Sequence, residues 1–126
     1  MKKIAVVTGG GSGIGQAAAL ELQKSGFNIF IVGRREEELM KTVKLSEVSD
    51  YKIIPFPADI TNSNDVKSLF SKIKNDFGRI DVLFNNAGMG APRVPIEDLK
   101  EDDWRKVVDV NLTGSFLCAQ QAVKLM

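Results

Sequence analysis

Apolar residues recur along this chain in two rhythms, short uninterrupted runs and longer stretches with helical spacing. Ile4-Ala5-Val6-Val7 is the first run; with Lys3 it predicts a buried strand over Lys3–Val7 that stops at a cluster of glycines. From Gly13 to Gly26 the pattern turns helical, with Ile14, Ala18, Leu20 and Leu22 as its apolar surface and Gly26 as a C-cap. Asn28–Val32 is a second apolar run and predicts a second strand. Glu36, Glu37 and Glu38 then stand where a helix start favours negative charge, ahead of Leu39, Met40 and Val43. Ile53, Ile54 and Phe56 mark a third strand, broken by Pro55 and Pro57 and therefore placed at or near a sheet edge. Between Ser63 and Phe77, Val66, Leu69, Phe70, Ile73 and Phe77 fall at helical spacing, and Gly78 closes that helix. Ile80–Phe84 is a fourth strand. After a loop containing Pro and Gly, Glu101, Asp102 and Asp103 open a long helix whose apolar face is predicted as Trp104, Val107, Val108, Leu112, Phe116, Ala119, Val123 and Met126.

Strand alternating with helix predicts an α/β fold with a parallel sheet covered on both faces. Such sheets bind ligands beyond the carboxyl ends of their strands, so Thr8, Gly33, Asp59 and Asn85 should line one rim.

Bulk properties narrow the function. The 126 residues suit a single domain, and 44% hydrophobic with 26% charged residues is an ordinary globular balance. A net charge of +1 gives no electrostatic case for nucleic acid or an anionic membrane. No apolar run approaches the roughly 20 residues that span a bilayer. The short apolar stretch after Lys2 and Lys3 lacks the pattern of a signal peptide. One cysteine, Cys118, cannot form an internal disulfide, which fits a cytoplasmic protein; on its apolar helix it is expected in the core. Histidine is absent, which removes Ser-His-Asp triads, Cys-His pairs and His-ligated zinc, and no metal site is expected.

Five glycines lie within the seven residues from Gly9 to Gly15. A strand, a glycine loop and a helix start together make an anion site, because free backbone N–H groups and the helix dipole converge there. A Walker A loop needs Lys and Ser or Thr after its last glycine, whereas Gln16 and Ala17 follow Gly15. The spacing G-x-G-x-x-G fails from Gly9, Gly11 and Gly13 as well. What stands is Thr8-Gly9-x-x-x-Gly13-Ile14-Gly15.

That spacing resembles the fingerprint of the short-chain dehydrogenase/reductase family. The likeness continues through Asp59 after the third strand, Asn85-Asn86-Ala87-Gly88 after the fourth, and Asn111 within Asp109-Val110-Asn111-Leu112-Thr113-Gly114. It runs in order through the whole chain. The resemblance implies a three-layer, Rossmann-like, doubly wound sheet ordered 3-2-1-4. It implies that Gly9, Gly13 and Gly15 form a pyrophosphate loop, with Ser12 and Ile14 lining the cofactor. It also implies that Asp59 meets the adenine amino group with Ile60 beside it, and that Asn86, Ala87 and Gly88 run alongside the cofactor.

The choice of cofactor is read about 20 residues beyond the glycine loop, where an acid serves the ribose 2′-hydroxyl of NAD and an arginine the 2′-phosphate of NADP. Here Val32-Gly33-Arg34-Arg35 puts Gly33 at the acidic position, and Arg34 offers a planar fork to phosphate. NADP is expected over NAD. The rival reading pairs Arg34 and Arg35 with Glu36, Glu37 and Glu38 on a solvated turn.

The resemblance further implies hydride transfer between nicotinamide and a small carbonyl or alcohol substrate, by way of a tyrosine, a lysine four residues on, a serine and an asparagine. Asn111 matches the asparagine and is the catalytic candidate; a structural kink in the helix is the alternative. The one tyrosine, Tyr51, is followed four residues later by Pro55, and no match to the serine, tyrosine or lysine appears. The chain thus reads as one nucleotide-binding domain, 1–126, incomplete at its C-terminal end. Its fourth strand is expected to be an open edge, the fold marginal, and homo-oligomers the norm. A non-catalytic NADP-binding module or an inactive remnant is the competing reading. Arg93, Trp104 and the lysines Lys41, Lys44, Lys67, Lys72 and Lys74 read as a solvated arginine, a packing anchor and solvated helix faces.

Overall fold

The computed structural model describes residues 2–126. Four parallel strands, β1 (Lys3–Thr8), β2 (Phe27–Gly33), β3 (Ile53–Pro57) and β4 (Val82–Phe84), form one sheet ordered β3-β2-β1-β4. Helices α1 (Gly13–Lys24) and α2 (Glu36–Leu45) follow β1 and β2, and α3 (Ser63–Asp76) follows β3. After β4 come a short 3-10 turn (Ile96–Asp98), α4 (Glu101–Val108), a π-helical turn (Asp109–Thr113) and α5 (Gly114–Ala122). This is the three-layer, doubly wound arrangement expected from the alternation of strand and helix.

The strands are apolar on both faces, and successive residues divide between two cores. Ile4 and Val6 of β1, with Phe30 and Val32 of β2, pack with Val66, Leu69, Phe70 and Ile73 of α3 and Cys118 and Ala122 of α5. Ala5, Val7, Ile29 and Ile31 face the other way, onto Ala19 of α1 and Leu39 of α2. Phe30 and Phe77 meet edge to face, with ring centroids 5.7 Å apart. Asn62 caps α3 by accepting from the backbone N–H groups of Asn64 (2.9 Å) and Asp65 (3.1 Å).

Three expectations need correction. Pro55 and Pro57 do not break β3; they stand at ladder positions opposite Ile31 and Gly33 on a sheet edge, where one side of the strand needs no donor. β4 begins two residues later than Ile80, because the Asp81 carboxylate occupies the ladder position and accepts the Ile4 N–H at 2.8 Å. The third correction concerns the long helix, which is not a single α-helix and does not bury its large apolar stripe. Trp104, Leu112, Phe116, Val123 and Met126 are exposed, and Trp104 anchors no packing. The buried face of α5 is Gly114, Cys118 and Ala122. Small residues let this helix approach closely: a Cβ on Gly114 would stand 2.7 Å from Ile60 Cδ1. α1 repeats the pattern, burying Gly15, Ala19 and Gln23 while Ile14 is exposed.

Candidate functional site: a cleft at the carboxyl rim of the sheet

The parallel register brings Thr8, Gly33, Pro57 and Phe84 to the same end of the sheet. Gly9 turns the chain out of β1 with φ +68°, and its N–H donates to the Val32 carbonyl at 2.8 Å. Gly15 is required by proximity: a Cβ there would stand 2.1 Å from the Gly9 carbonyl oxygen. Gly13 differs, having φ +54° and open space where a Cβ would go.

The loop carbonyls are tied back into the protein. Asn86 Nδ2 donates to Gly9 O (3.3 Å), Thr42 Oγ1 to Gly10 O (2.7 Å) and Gln16 Nε2 to Gly11 O (3.4 Å). Ser12, at the N-cap of α1, makes no side-chain cap bond, so the first-turn N–H groups of α1 stay open at the positive end of the helix. α3 fills the same position with Asn62. Loop acceptors that are engaged, followed by open N–H groups at the start of α1, fit a diphosphate, and no acidic side chain stands in the first turn of α1 to oppose one.

Thr8 joins this loop to the one after β4. Its buried hydroxyl accepts from Asn86 N and Ala87 N, both at 3.0 Å, and donates to Phe84 O at 3.4 Å. Thr8 was legible as part of the rim and as the first residue of the glycine spacing, but not as this tie. Thr42 and Gln16, which bond to each other at 3.1 Å while holding the loop, left no signal in the hydrophobic pattern.

An open cleft of about 210 Å³ lies across this rim. Of the predicted cofactor residues it gathers Gly9, Ser12, Arg34, Asp59, Ile60, Ala87 and Gly88, joined by Gly11, Arg35, Glu38, Met89 and Val110. Gly15 and Asn86 stand behind the wall as its supports, and Gly13 and the exposed Ile14 lie on the first turn of α1. Asn85 reaches the other way, donating from Nδ2 to Ser115 O at 3.2 Å.

Asp59 keeps its carboxyl below the usual range, chiefly because Thr61 Oγ1 donates to Oδ1 at 2.7 Å; burial opposes this, and the Thr61 N–H (2.9 Å) and Arg34 charge reinforce it. Arg34 and Arg35 are exposed, and neither forms an ion pair with Glu36, Glu37 or Glu38 among the described residues. Glu38 pairs instead with Lys41.

Asn111 sits in the π-helical turn, spanning from the helix to the loop after β4. Its Nδ2 donates to Met89 O (2.8 Å) and Val107 O (3.0 Å), and its Oδ1 accepts from Met89 N (3.1 Å). A Cβ on Gly88 would come within 2.5 Å of that Oδ1. Asn111 therefore fixes the end of the cleft wall at Gly88 and Met89. Among the described residues no cluster of His, Cys, Asp and Glu could hold a metal ion, and no helix is long and apolar enough to cross a membrane.

A family model described as short chain dehydrogenase matches residues 3–126. The chain belongs to the short-chain dehydrogenase family. A 3beta-hydroxysteroid dehydrogenase from Mediterraneibacter gnavus is 40% identical over 125 residues, covering 99% of this chain and 45% of that protein. Among solved structures, a metagenomic short-chain oxidoreductase in complex with NADP superposes with a TM-score of 0.92 at 28% identity, covering 98% of this chain and 56% of that one. An NAD+-bound xylitol dehydrogenase does so with a TM-score of 0.92 at 32% identity, covering 98% and 48%. This short-chain dehydrogenase chain thus spans about half the length of the curated relatives it matches. The family binds nicotinamide cofactors, and the two structural neighbours carry different ones.

Proposed function

We propose that this chain is the cofactor-binding part of an NADP-dependent oxidoreductase that moves a hydride between the nicotinamide and a small carbonyl or alcohol substrate. The observation that carries the NADP preference is Arg34 with Arg35 on the cleft wall, at a rim position where Gly33 offers no carboxylate. In this reading Gly9, Ser12, Gly13, Ile14 and Gly15 hold the pyrophosphate on the open N–H groups of α1. Arg34 holds the 2′-phosphate, which a planar guanidinium fits with two parallel hydrogen bonds. Asp59, ionised and positioned by Thr61, accepts from the adenine amino group beside Ile60. Asn86, Ala87 and Gly88 line the remainder of the path.

The bound nicotinamide supplies the hydride chemistry, and the protein supplies orientation. Asn111 serves catalysis by holding Met89 and the π-helical turn in one geometry at the end of the cleft. The test is NADPH oxidation by the product of the whole gene across a panel of small ketones and aldehydes. Turnover that falls on Asn111→Ala supports the reading; robust turnover with NADH alone sinks the NADP assignment.

A second reading is a module that holds NADP without transferring hydride; within this chain Tyr51 takes no part in the cleft. Its ring lies 3.6 Å from the Cβ position of Gly26 and 5.3 Å from the Lys2 ammonium, at the amino end of the sheet and away from the cleft. NADPH binding without turnover would select this reading. Self-association is also proposed, through the exposed apolar side of α4 and α5. Sedimentation showing a monomer at every concentration would remove it.

A further inference from the structure

The cleft wall that presents Arg34 and Arg35 also presents a carboxylate. Glu38 lies in the first turn of α2, and a Cβ on Gly11 would stand 3.0 Å from Glu38 Cβ, so this part of α2 abuts the glycine loop. The Glu38 side chain keeps 26% of its exposure, against 64% for Lys41, whose ammonium holds Glu38 Oε1 at 2.9 Å. Lys41 is not part of the cleft wall; Glu38 is. An acid at this place opposes an incoming phosphate dianion, and a lysine behind it offsets that opposition.

Resting on the NADP reading above, we infer that the Glu38–Lys41 pair sets how strongly this cleft prefers a 2′-phosphate over a 2′-hydroxyl. Arg34 attracts the phosphate, Glu38 repels it, and Lys41 acts through Glu38 as a positioning residue by neutralising and orienting the carboxylate. The hydrogen bond and charge of Lys41 keep the Glu38 carboxyl below its ordinary range, with a smaller push from Arg35, so Glu38 is ionised throughout the neutral range. The pair is solvated, and its influence is that of an exposed charge pair, a few-fold in affinity, screened by salt.

The experiment is calorimetric titration of NADP and NAD into the wild-type chain, Lys41→Met, Glu38→Gln, the double variant and Lys41→Arg. Lys41→Met should reduce the NADP-over-NAD preference about threefold to fivefold, and Glu38→Gln should raise it about threefold. The double variant should match Glu38→Gln, because Lys41 has no role once the carboxylate is gone. Lys41→Arg should restore the wild-type ratio, and the differences should shrink with added salt. NAD affinity unchanged across the set reports intact folding, a readout that a merely structural role for the pair would move. A wild-type preference for NADP that persists unaltered in every variant overturns this inference alone. A double variant that falls as far as Lys41→Met also overturns it, since Lys41 would then meet the phosphate directly. Wild type that binds NAD as tightly as NADP overturns the cofactor reading and this inference with it.

Discussion

Gly15 is the position where the structure makes the sharpest demand on the sequence. In Gly15→Ala the new methyl would lie 2.1 Å from Gly9 O, 2.8 Å from Gly9 C and 2.5 Å from Asn86 Nδ2. Two of these atoms are backbone, so the clash is relieved only by moving the turn after β1. Forcing a methyl into such a site costs about 1–3 kcal/mol or more. Losing the bond from Asn86 Nδ2 to Gly9 O adds about 1 kcal/mol. Alanine's better helix propensity returns up to about 1 kcal/mol. The net loss is about 1–4 kcal/mol, a fall in Tm of roughly 4–16 °C for a chain of this size. Gly13→Ala is the control: its methyl meets nothing within 4 Å, and only the φ of +54° opposes it. That costs about 1 kcal/mol, or roughly 4 °C. Thermal unfolding followed by circular dichroism compares the two. If Gly15→Ala melts within about 2 °C of wild type, or Gly13→Ala is the worse of the pair, the close-approach account of this loop is refuted.

Thr8→Val keeps the shape of the side chain but leaves Ala87 N without its acceptor, while Asn86 N keeps only the Phe84 carbonyl at 2.9 Å. It should cost about 1–3 kcal/mol in chemical denaturation, and a loss under about 0.5 kcal/mol would remove Thr8 as the tie between the two loops. The Asp81 carboxyl is held below its ordinary value, first by the Arg79 side-chain hydrogen bond, against the opposing effect of burial and with help from the Ile4 N–H. A lowered folded pKa contributes stability that is present above the unfolded carboxylate value of about 3.9 and is lost as pH falls through the folded one. Denaturant unfolding in acid should therefore be less pH-dependent in Asp81→Asn than in wild type; identical profiles would contradict this. Burial alone pushes the Cys118 thiol up to about 11. The raised value means that stability is full below the unfolded thiol pKa of about 8.5 and declines as pH rises from there toward the folded value. Thiol reagents should label Cys118 only as fast as the chain opens, and rapid labelling of the native chain would show the α5 contact to be looser than described.

Much of the fold was legible because strands buried on both faces read as continuous apolar runs bounded by glycine and proline. The rim was legible for the same reason, since Thr8, Gly33 and Asn85 mark where those runs stop. The packing face of α3, Val66, Leu69, Phe70 and Ile73, was legible too, whereas those of α1 and α5 were not. α1 and α5 press ridges of Gly, Ala and Cys against the sheet, and small residues carry little hydrophobic signal although they permit the closest approach. The larger side chains of Ile14, Leu112 and Phe116, which dominate a periodicity count, are exposed. The π-helical turn at Asp109–Thr113 also breaks helical spacing in the middle of the predicted stripe. Within the site, glycine spacing pointed to the loop itself. Of the side chains that hold it, Asn86 belongs to a motif, whereas Thr42 and Gln16 come from helices and follow none. Glu38 looked like one of three helix-capping acids, and only its place against Gly11 sets it apart.

The most direct test of the central claim is a comparison of NADPH and NADH binding to this chain by calorimetry, with and without Arg34→Ala. A charge-assisted, two-pronged contact contributes about 1.5–3 kcal/mol, so NADPH should bind about tenfold or more tightly than NADH. Arg34→Ala should remove most of that difference while leaving NADH affinity unchanged. Equal or tighter binding of NADH by the wild-type chain, or a preference for NADPH that survives Arg34→Ala, would contradict the account.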